Sequence, residues 1–421
     1  MGQGSTTIRC AVLVFAMGMV ACVARTPSKD VGSTDSGRES GRDGAIHAGH
    51  DAGRADARQT DATALDARRP TDAGAAAQVD ATVDAGVDAG GIDASFDAPD
   101  GCSIGLSGEP TDLSCTGLYS DWVTKTVAAG MHVYDPGLHL WSDGADKTRW
   151  ISLPAGQPID TSNMDEWTFP VGTKVWKQFV LEGTLIETRM IWKRAVGSWV
   201  LTTYRWSADL TSATELLDGE PDADGHGYEI PSGAECHECH DGRLDTVLGF
   251  EAVALSSPNA ALARTSSALA PLTLSELVDA GWLTAAPANA LTVPGSPTAA
   301  AALGYLHMNC GTACHNHGNG AADETGFFMR LDVGTLAAVA TTDAVVSGVF
   351  KVAGYSIPGQ AVTYRLAPGN VPASAAHYRM SVRDGVDGVD FNQQMPPFDT
   401  HRPDDAGVAA VGAWIEAGCG D

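Results

Sequence analysis

Two clusters of cysteine and histidine hold the side chains best suited to chemistry. The first, Cys236-His237-Glu238-Cys239-His240, has the C-x-x-C-H spacing of a c-type haem attachment site. Two thiols one helical turn apart can each bond a vinyl group on one porphyrin edge, and the next imidazole can turn to the iron. Cys236 and Cys239 are therefore predicted to hold haem c, with His240 as the proximal iron ligand. A disulfide between the two cysteines is the alternative.

In the second cluster, Cys310 and Cys314 precede His315, but three residues rather than two separate the cysteines. The extra residue rotates the first thiol relative to the second, so attachment of a second haem requires a locally widened turn. Two alternatives remain open. One is a strained disulfide between Cys310 and Cys314, and the other is a zinc site that adds His315 and His317 to the two thiolates.

A methionine loop, Gln394-Met395-Pro396-Pro397, lies between the second cluster and the C-terminus. In small single-haem cytochromes c, such a loop supplies the sixth iron ligand, and a C-terminal helix with an aromatic residue packs across the helix that leads into the haem motif. Met395 and Trp414 fit these two places, and a thioether ligand raises the reduction potential. His377 and His401 are the alternative ligands.

The sixth ligand of the first haem is left open, because no methionine occurs between His240 and Met308. His226, His307 and Met308 are the candidates, and a five-coordinate iron is the remaining possibility. The distinction matters because an open position can bind peroxide or oxygen, whereas a six-coordinate iron mainly transfers electrons.

The elements that must position these residues indicate an α+β protein, with an antiparallel β sandwich or barrel-like domain over residues 102–235. Short runs rich in Val, Ile, Trp, Tyr and Thr alternate with turn signals, which is typical of such domains. The predicted strands are 147–153, 174–180, 185–194 and 199–206. Glu187, Arg189 and Lys193 interrupt the apolar pattern; we expect a solvated sheet face there, with a binding face as the alternative.

Beyond residue 240 the sequence becomes rich in Ala and Leu, and its periodicity predicts helices over 273–280, 298–308 and 404–417. Thr273 and Glu276 have the spacing of a capping box, and Asp404 and Asp405 suit a helix N-terminus. Residues 236–296 form the first haem motif and a helical connector. Residues 297–421 form a mostly helical, cytochrome-c-like domain.

The N-terminal part predicts export. Residues 1–24 resemble a signal peptide, because an apolar run too short to span a bilayer ends at a lipoprotein-like Cys22; ordinary cleavage near Ala24 is the alternative to lipidation. Residues 25–101 repeat an Asp-Ala step and hold almost no large apolar side chains, so they are predicted to be a disordered tether. Cys102 and Cys115 are expected to form a disulfide, as nearby cysteines do in exported proteins, while Cys419 has no obvious partner.

The formal net charge of −26 argues against nucleic-acid binding, which usually leaves a basic footprint. The membrane is expected to be contacted only through the N-terminal lipid anchor. The expected location is the periplasm or the cell envelope.

Residues 117–421 resemble a family of bacterial diheme c-type cytochromes, in which a β domain is joined to a cytochrome-c-like domain. Besides the first cysteine cluster, the matching stretches are 141–145, 167–173, 187–189, 305–310, 368–369 and 395–397. The resemblance implies one or two covalent haems and electron transfer to redox partner proteins. The spacing of Cys310 and Cys314 departs from the family pattern.

Two other functions are kept open. One is a diheme peroxidase or oxidoreductase, with an open haem and a substrate held by the β domain. The other is a haem-free ligand-binding lipoprotein, whose cysteine clusters are stabilised by disulfides or zinc.

Overall fold

The computed structural model describes residues 101–421 except 139, 257–270, 319, 355–360, 387, 388, 390 and 391. The predictions of a signal peptide, of a lipidated Cys22 and of a tether therefore lie outside the described residues, save for position 101. Within the described ranges, no helix combines the length and the apolar character that a bilayer crossing requires.

The strands form two antiparallel sheets, a six-stranded meander in the order β3 to β8 and a separate β1–β2 pair. The predicted antiparallel architecture is thus confirmed, but the sheet is open: within the described residues, β3 and β8 are edge strands that do not pair with each other, so there is no closed barrel. The strands are β1 Tyr119–Asp121, β2 Thr126–Val127, β3 His132–Tyr134, β4 Asp146–Ser152, β5 Lys174–Leu181, β6 Thr184–Ala195, β7 Ser198–Trp206 and β8 Ala213–Glu215.

Both faces of the six-stranded sheet are covered, since alternate residues of its strands enter two different hydrophobic clusters. Trp150 and Trp176 belong to one face, and Ile151 and Val175 to the other. The expectation of a solvated face at Glu187, Arg189 and Lys193 is wrong. The Glu187 side chain is 0% exposed and that of Lys193 is 2% exposed, because Tyr228 and Asp245 of the polypeptide that follows the sheet cover them, while Arg189 stays 27% exposed.

Helices dominate after residue 232, as the Ala- and Leu-rich composition predicts. Thr273 caps α3 with the expected capping box to Glu276, and Asp404 caps α7 by accepting a hydrogen bond from the backbone N–H of Ala406. The helices are α1 Gly233–His240, α2 Ala252–Leu255, α3 Leu274–Asp279, α4 Pro297–Leu306, α5 Asp343–Gly348, α6 Ala375–Ser381 and α7 Asp405–Glu416.

Helices α4 and α7 cross and form the centre of the helical core. Gly407 of α7 lies against the ring of Tyr305 on α4, where a Cβ atom would overlap the ring. Trp414 of α7 is 0% exposed and shares a cluster with Leu303 and Leu306 of α4. The predicted packing of an aromatic C-terminal helix across the helix that precedes the second motif is therefore confirmed.

The sheet and the helical region share one core. Phe250, which precedes α2, contacts Tyr134 of β3 edge-on, with ring centroids 4.8 Å apart. Its ring also lies near Trp167 and Phe169, which follow β4. Aromatic contacts of this kind bury much apolar area, so the region around the first motif is held firmly on the sheet.

The expected disulfide between Cys102 and Cys115 is present. Cys419 is a buried free thiol.

Candidate functional site

Helix α1 carries the whole of the first cysteine–histidine motif. Ser232 caps the helix and forms a capping box with Glu235, so that the helix begins just before Cys236. His240 is its last residue. The His240 Nδ1 atom lies 2.5 Å from the carbonyl oxygen of Thr246. Because that oxygen only accepts, Nδ1 carries the proton and Nε2 becomes the nitrogen able to bind a metal.

The second motif sits on a widened turn. Helix α4 continues into a π-helical segment, His307–Gly311, and the backbone N–H groups of Thr312 and His315 donate to the carbonyls five residues earlier, each at 2.8 Å. A π-helical turn holds one more residue than an α-helical turn. The extra residue between Cys310 and Cys314 is absorbed there, as the sequence argument requires.

His315 repeats the arrangement of His240. Its Nδ1 atom lies 2.7 Å from the carbonyl oxygen of Phe327, so Nε2 is again the nitrogen able to bind a metal. Burial lowers the pKa of His240 to about 4, and burial also lowers the pKa of His315. Both imidazoles are therefore neutral near pH 7, the state in which histidine binds metal ions.

The four motif cysteines are free thiols, so neither alternative disulfide is formed. Burial raises the pKa of Cys239 and of Cys310 to about 12, and it also raises the pKa values of Cys236 and Cys314. A redox-active dithiol needs the opposite shift, since the thiolate is the reactive form. The environment thus keeps these thiols protonated.

The four potential zinc ligands of the second cluster do not converge. Among the described residues, the one group of three acidic, cysteine or histidine side chains close enough to share an ion is Glu229, Glu235 and Asp399. His317 instead lies with its Nε2 atom 3.0 Å from a carboxylate oxygen of Asp343. The zinc alternative for the second cluster is therefore not supported.

Two adjoining cavities, of about 330 and 250 Å³, lie beside the second motif. His315 and Met395 line both, together with apolar side chains such as Met329. The alternative ligands His377 and His401 line neither cavity. His377 faces Gly412 of α7, and His401 lies 2.8 Å from a carboxylate oxygen of Glu229.

The sheet region holds the methionine loop in place. The carboxylate of Asp143 accepts hydrogen bonds from the backbone N–H groups of His401 and Arg402 at 2.8–3.0 Å. The backbone N–H of Met395 donates to the carbonyl of Arg379 at 2.8 Å. Trp141 donates its own backbone N–H to the Asn309 side chain at 2.8 Å, which joins the same segment to the second motif.

The cavity beside the first motif is different. It measures about 30 Å³, and its lining includes Cys236 and His240 on one side and Lys177 and Arg189 of the sheet on the other. Burial, together with the neighbouring guanidinium groups of Arg149 and Arg189, lowers the pKa of Lys177 to about 7. The site is therefore small and mostly apolar, with two basic side chains on its sheet side.

None of the three candidate sixth ligands of the first motif lines that cavity. His307 Nε2 lies 2.5 Å from a carboxylate oxygen of Glu251, and Met308 belongs to the hydrophobic cluster of the helical region. The Nδ1 atom of His226 lies 3.9 Å from a carboxylate oxygen of the exposed Glu182.

The chain just after the first motif is in direct contact with the second motif. A Cβ atom at Gly242, two residues after His240, would overlap the carbonyl oxygen of Ala313 within the second motif. A Cβ atom at Gly320 would overlap the carbonyl of Cys314. Glycine is needed at both positions because backbone meets backbone there.

A buried ionic network supports both motifs. Glu251 accepts from Arg243 at 2.9 Å and faces His307, and Arg330 also approaches its carboxylate. Arg243 follows the first motif, whereas His307 precedes the second. The backbone N–H of Leu331 donates to His307 Nδ1 at 3.0 Å, so the proton of this imidazole is on Nε2 and is donated to Glu251.

A second buried ion pair steadies the carbonyl that holds His240. Lys193 Nζ lies 2.6 Å from a carboxylate oxygen of Asp245, the residue before Thr246. Asp245 also accepts from the backbone N–H of Phe169 and the indole of Trp199, at 2.7 and 2.9 Å. Three strong donors thus hold the segment that orients the first imidazole.

The sequence predicts the motif residues and Met395 as site residues but does not predict the groups that orient them. Thr246 and Phe327 act through backbone carbonyls, for which no side-chain signal exists. Lys177 is one charged residue within an apolar strand, and its position opposite Arg189 depends on strand register.

Comparisons with protein-family models, with curated proteins and with solved structures found no match for this chain.

Proposed function

We propose that this chain is an exported c-type cytochrome that carries one or two covalently attached haems and transfers electrons. One observation carries the proposal. Each of the two motif histidines is neutral, stands directly after a pair of free cysteine thiols and has Nδ1 held by a backbone carbonyl. A proximal haem ligand needs this arrangement, because the fixed Nδ1 proton leaves Nε2 for the iron.

The residues around the second motif fit a haem. The adjoining cavities are largely apolar, the larger one falls within the size range of ligand sites, and His315 and Met395 line both. Cys310 and Cys314 would form the thioether bonds, and His315 and Met395 would be the axial ligands. Bound haem iron would supply one-electron redox chemistry. The protein's own part is to exclude water from the cleft and to fix the ligand atoms.

The contact of the chain just after the first motif with the second motif supports electron exchange between two haems. Residues 242 and 313 touch through their backbones, so cofactors attached at the two sites would be close neighbours. The crossing of α4 and α7 supports a cytochrome-c-like arrangement of residues 297–421. A sandwich formed by the two sheets, and the resemblance to bacterial diheme cytochromes, belong to the same proposal.

The proposed setting follows from the N-terminal sequence. Export would place the motifs where c-type haem is attached, and a lipidated Cys22 with a long acidic tether would hold the protein at a membrane of the cell envelope. Redox partner proteins would exchange electrons with it there.

A second candidate is an oxidoreductase or peroxidase that uses an open first haem. Lys177 and Arg189, rather than a methionine loop, face His240 across the small cavity. Polar groups opposite a proximal histidine are suited to binding a substrate, whereas a thioether would close the site. Addition of cyanide or peroxide to the matured protein separates the two functions, because only an open iron shifts its absorption spectrum.

The decisive experiment is expression of the full chain in a host with haem-maturation machinery, followed by intact mass and a reduced haemochrome spectrum. We expect the mass to exceed that of the processed polypeptide by one or two haems. Replacement of both cysteines of a motif by alanine should remove one haem: Cys236→Ala with Cys239→Ala at the first, Cys310→Ala with Cys314→Ala at the second.

The matched control is Cys419→Ala, which removes a buried thiol outside both motifs and should leave the haem count unchanged. A colourless protein at its bare polypeptide mass would end the proposal. Two haems in wild type and one in each double variant would assign both sites.

A further inference from the structure

A row of cationic side chains crosses the sheet on the face that meets α1. Arg149 of β4 lies directly opposite Lys177 of β5, and Lys177 lies opposite Arg189 of β6. The row continues to Tyr134 of β3 at one end. Like charges on directly opposed residues of neighbouring strands destabilise a sheet, so three in succession require compensation.

A direct ion pair compensates the charge at both ends of this row but not at its centre, where Glu187 acts on Lys177 only from a distance. Arg149 Nη1 lies 3.0 Å from an Asp135 carboxylate oxygen. Arg189 binds the carboxylate of Glu187 with two nitrogens, at 2.6 and 2.8 Å. Lys177 forms no ion pair and no side-chain hydrogen bond within the described part of the chain.

The partly exposed side chain of Lys177 lines a cavity. Lys177 and Arg189 line the cavity of about 30 Å³ together with Tyr134, Cys236 and His240. That space is about twice what one water molecule needs, which suits a carboxylate-sized group. Burial disfavours the charged form of an ammonium group, and a bound anion at this place would offset that cost.

We infer that Lys177, flanked by Arg149 and Arg189, forms an anion site that receives one carboxylate or small oxyanion beside the first cysteine–histidine motif. The bound anion would supply the negative charge that the centre of the row lacks, and Lys177 would donate a hydrogen bond to it. A haem propionate and a free small anion share this chemistry. Binding of a haem propionate rests on the proposed function, whereas the existence of the anion site does not.

The test compares wild type, Lys177→Met, Lys177→Arg and Lys351→Met in the full chain, after its haem content is known from intact mass. Met matches the length of Lys, and removal of an unpaired buried charge should not prevent folding. Lys351 is exposed and provides the charge-matched control. Formate binding is measured by titration calorimetry. Infrared redox-difference spectra are recorded with haem labelled isotopically at its propionate carboxyls.

A free anion as ligand predicts that wild type binds formate and that Lys177→Met weakens binding by about tenfold or more, as expected for loss of a charged hydrogen bond. A propionate predicts no formate binding and a shift of the labelled carboxylate bands in Lys177→Met. In either case Lys177→Arg and Lys351→Met should behave like wild type.

The inference is overturned if wild type binds no formate and Lys177→Met leaves the labelled bands unchanged. It is also overturned if Lys351→Met produces the same effects, because net charge would then explain them. Protein without haem would contradict the cytochrome proposal, but its formate titration would still decide whether the anion site exists.

Discussion

His240 and His315 each depend on a backbone carbonyl for orientation, the first on Thr246 and the second on Phe327. The carbonyl defines which nitrogen carries the proton, and burial keeps each imidazole neutral. The residue that distinguishes the second site is Met395, which lines both cavities with His315. A thioether is a soft ligand that favours ferrous iron.

With haem bound at the second site as proposed, Met395→Leu should lower its reduction potential and abolish the near-infrared band that a methionine-bound ferric haem gives. Met329→Leu is the matched control, since Met329 lines the same two cavities. Both changes conserve volume and should cost less than about 1.5 kcal/mol of stability. Spectroelectrochemical titration measures the potentials. Equal potentials for Met395→Leu and wild type would rule out Met395 as the ligand.

At the level of elements, the geometry of the second motif depends on the C-terminal end of α4 and on the packing of α7 against α4. The π-helical segment His307–Gly311 takes up the additional residue between the cysteines. Gly311 must be small because the backbone of Arg330 lies against it. Helix α7 crosses α4 at Gly407, where only a hydrogen atom separates the helix from the ring of Tyr305.

Gly407→Ala should destabilise the protein by about 1–3 kcal/mol, because the new methyl group overlaps the buried ring of Tyr305 and the helices must move apart. Gly334→Ala provides the control, since nothing lies within 4 Å of the Cβ position there. Its free energy of unfolding should stay within about 0.5 kcal/mol of wild type. Urea unfolding followed by tryptophan fluorescence gives both values, and equal effects of the two changes would contradict this packing.

Across the molecule, the buried ionic network ties the sheet, the first motif and the second motif together. Glu251 is its centre, with Arg243 and Arg330 close to its carboxylate, and Arg330 also pairs with Glu166 of the segment between β4 and β5. Burial by itself would raise the pKa of Glu251. The facing His307 and the two guanidinium groups nevertheless hold that pKa well below its ordinary value.

This depressed pKa predicts acid lability. A carboxyl group whose pKa is lower in the folded state stabilises the fold above its unfolded pKa of about 4.3, and that contribution is lost as the pH falls towards the folded pKa. Glu251→Gln should cost about 3–5 kcal/mol near pH 7, because its cationic partners stay buried. The difference between wild type and variant should narrow below about pH 4.3.

Urea unfolding midpoints measured from neutral to acidic pH provide this comparison. Glu416→Gln, which changes an exposed carboxyl at the end of α7, should leave the stability within about 0.5 kcal/mol of wild type throughout. A constant difference between Glu251→Gln and wild type at all pH values would contradict the assignment of the acid effect to Glu251.

Features that depend on near neighbours in the chain were determined by the sequence alone. The capping box of Thr273 and Glu276, the alternating strands and the need for a wider turn before Cys314 are local, because they arise from backbone geometry over a few residues. The sequence also predicts that Met395 lies near His315, because the methionine loop stands between the second motif and the last helix.

Only the tertiary structure decided which faces are covered and which distant residues meet. The sequence predicts that Glu187 and Lys193 face solvent, but both are buried. Exposure of a strand face depends on whether another part of the chain packs on it. The alignment of Arg149, Lys177 and Arg189 depends on strand register, and their position beside His240 depends on how α1 docks on the sheet. Long-range packing set that register, because it buries the apolar side chains on both faces of the sheet.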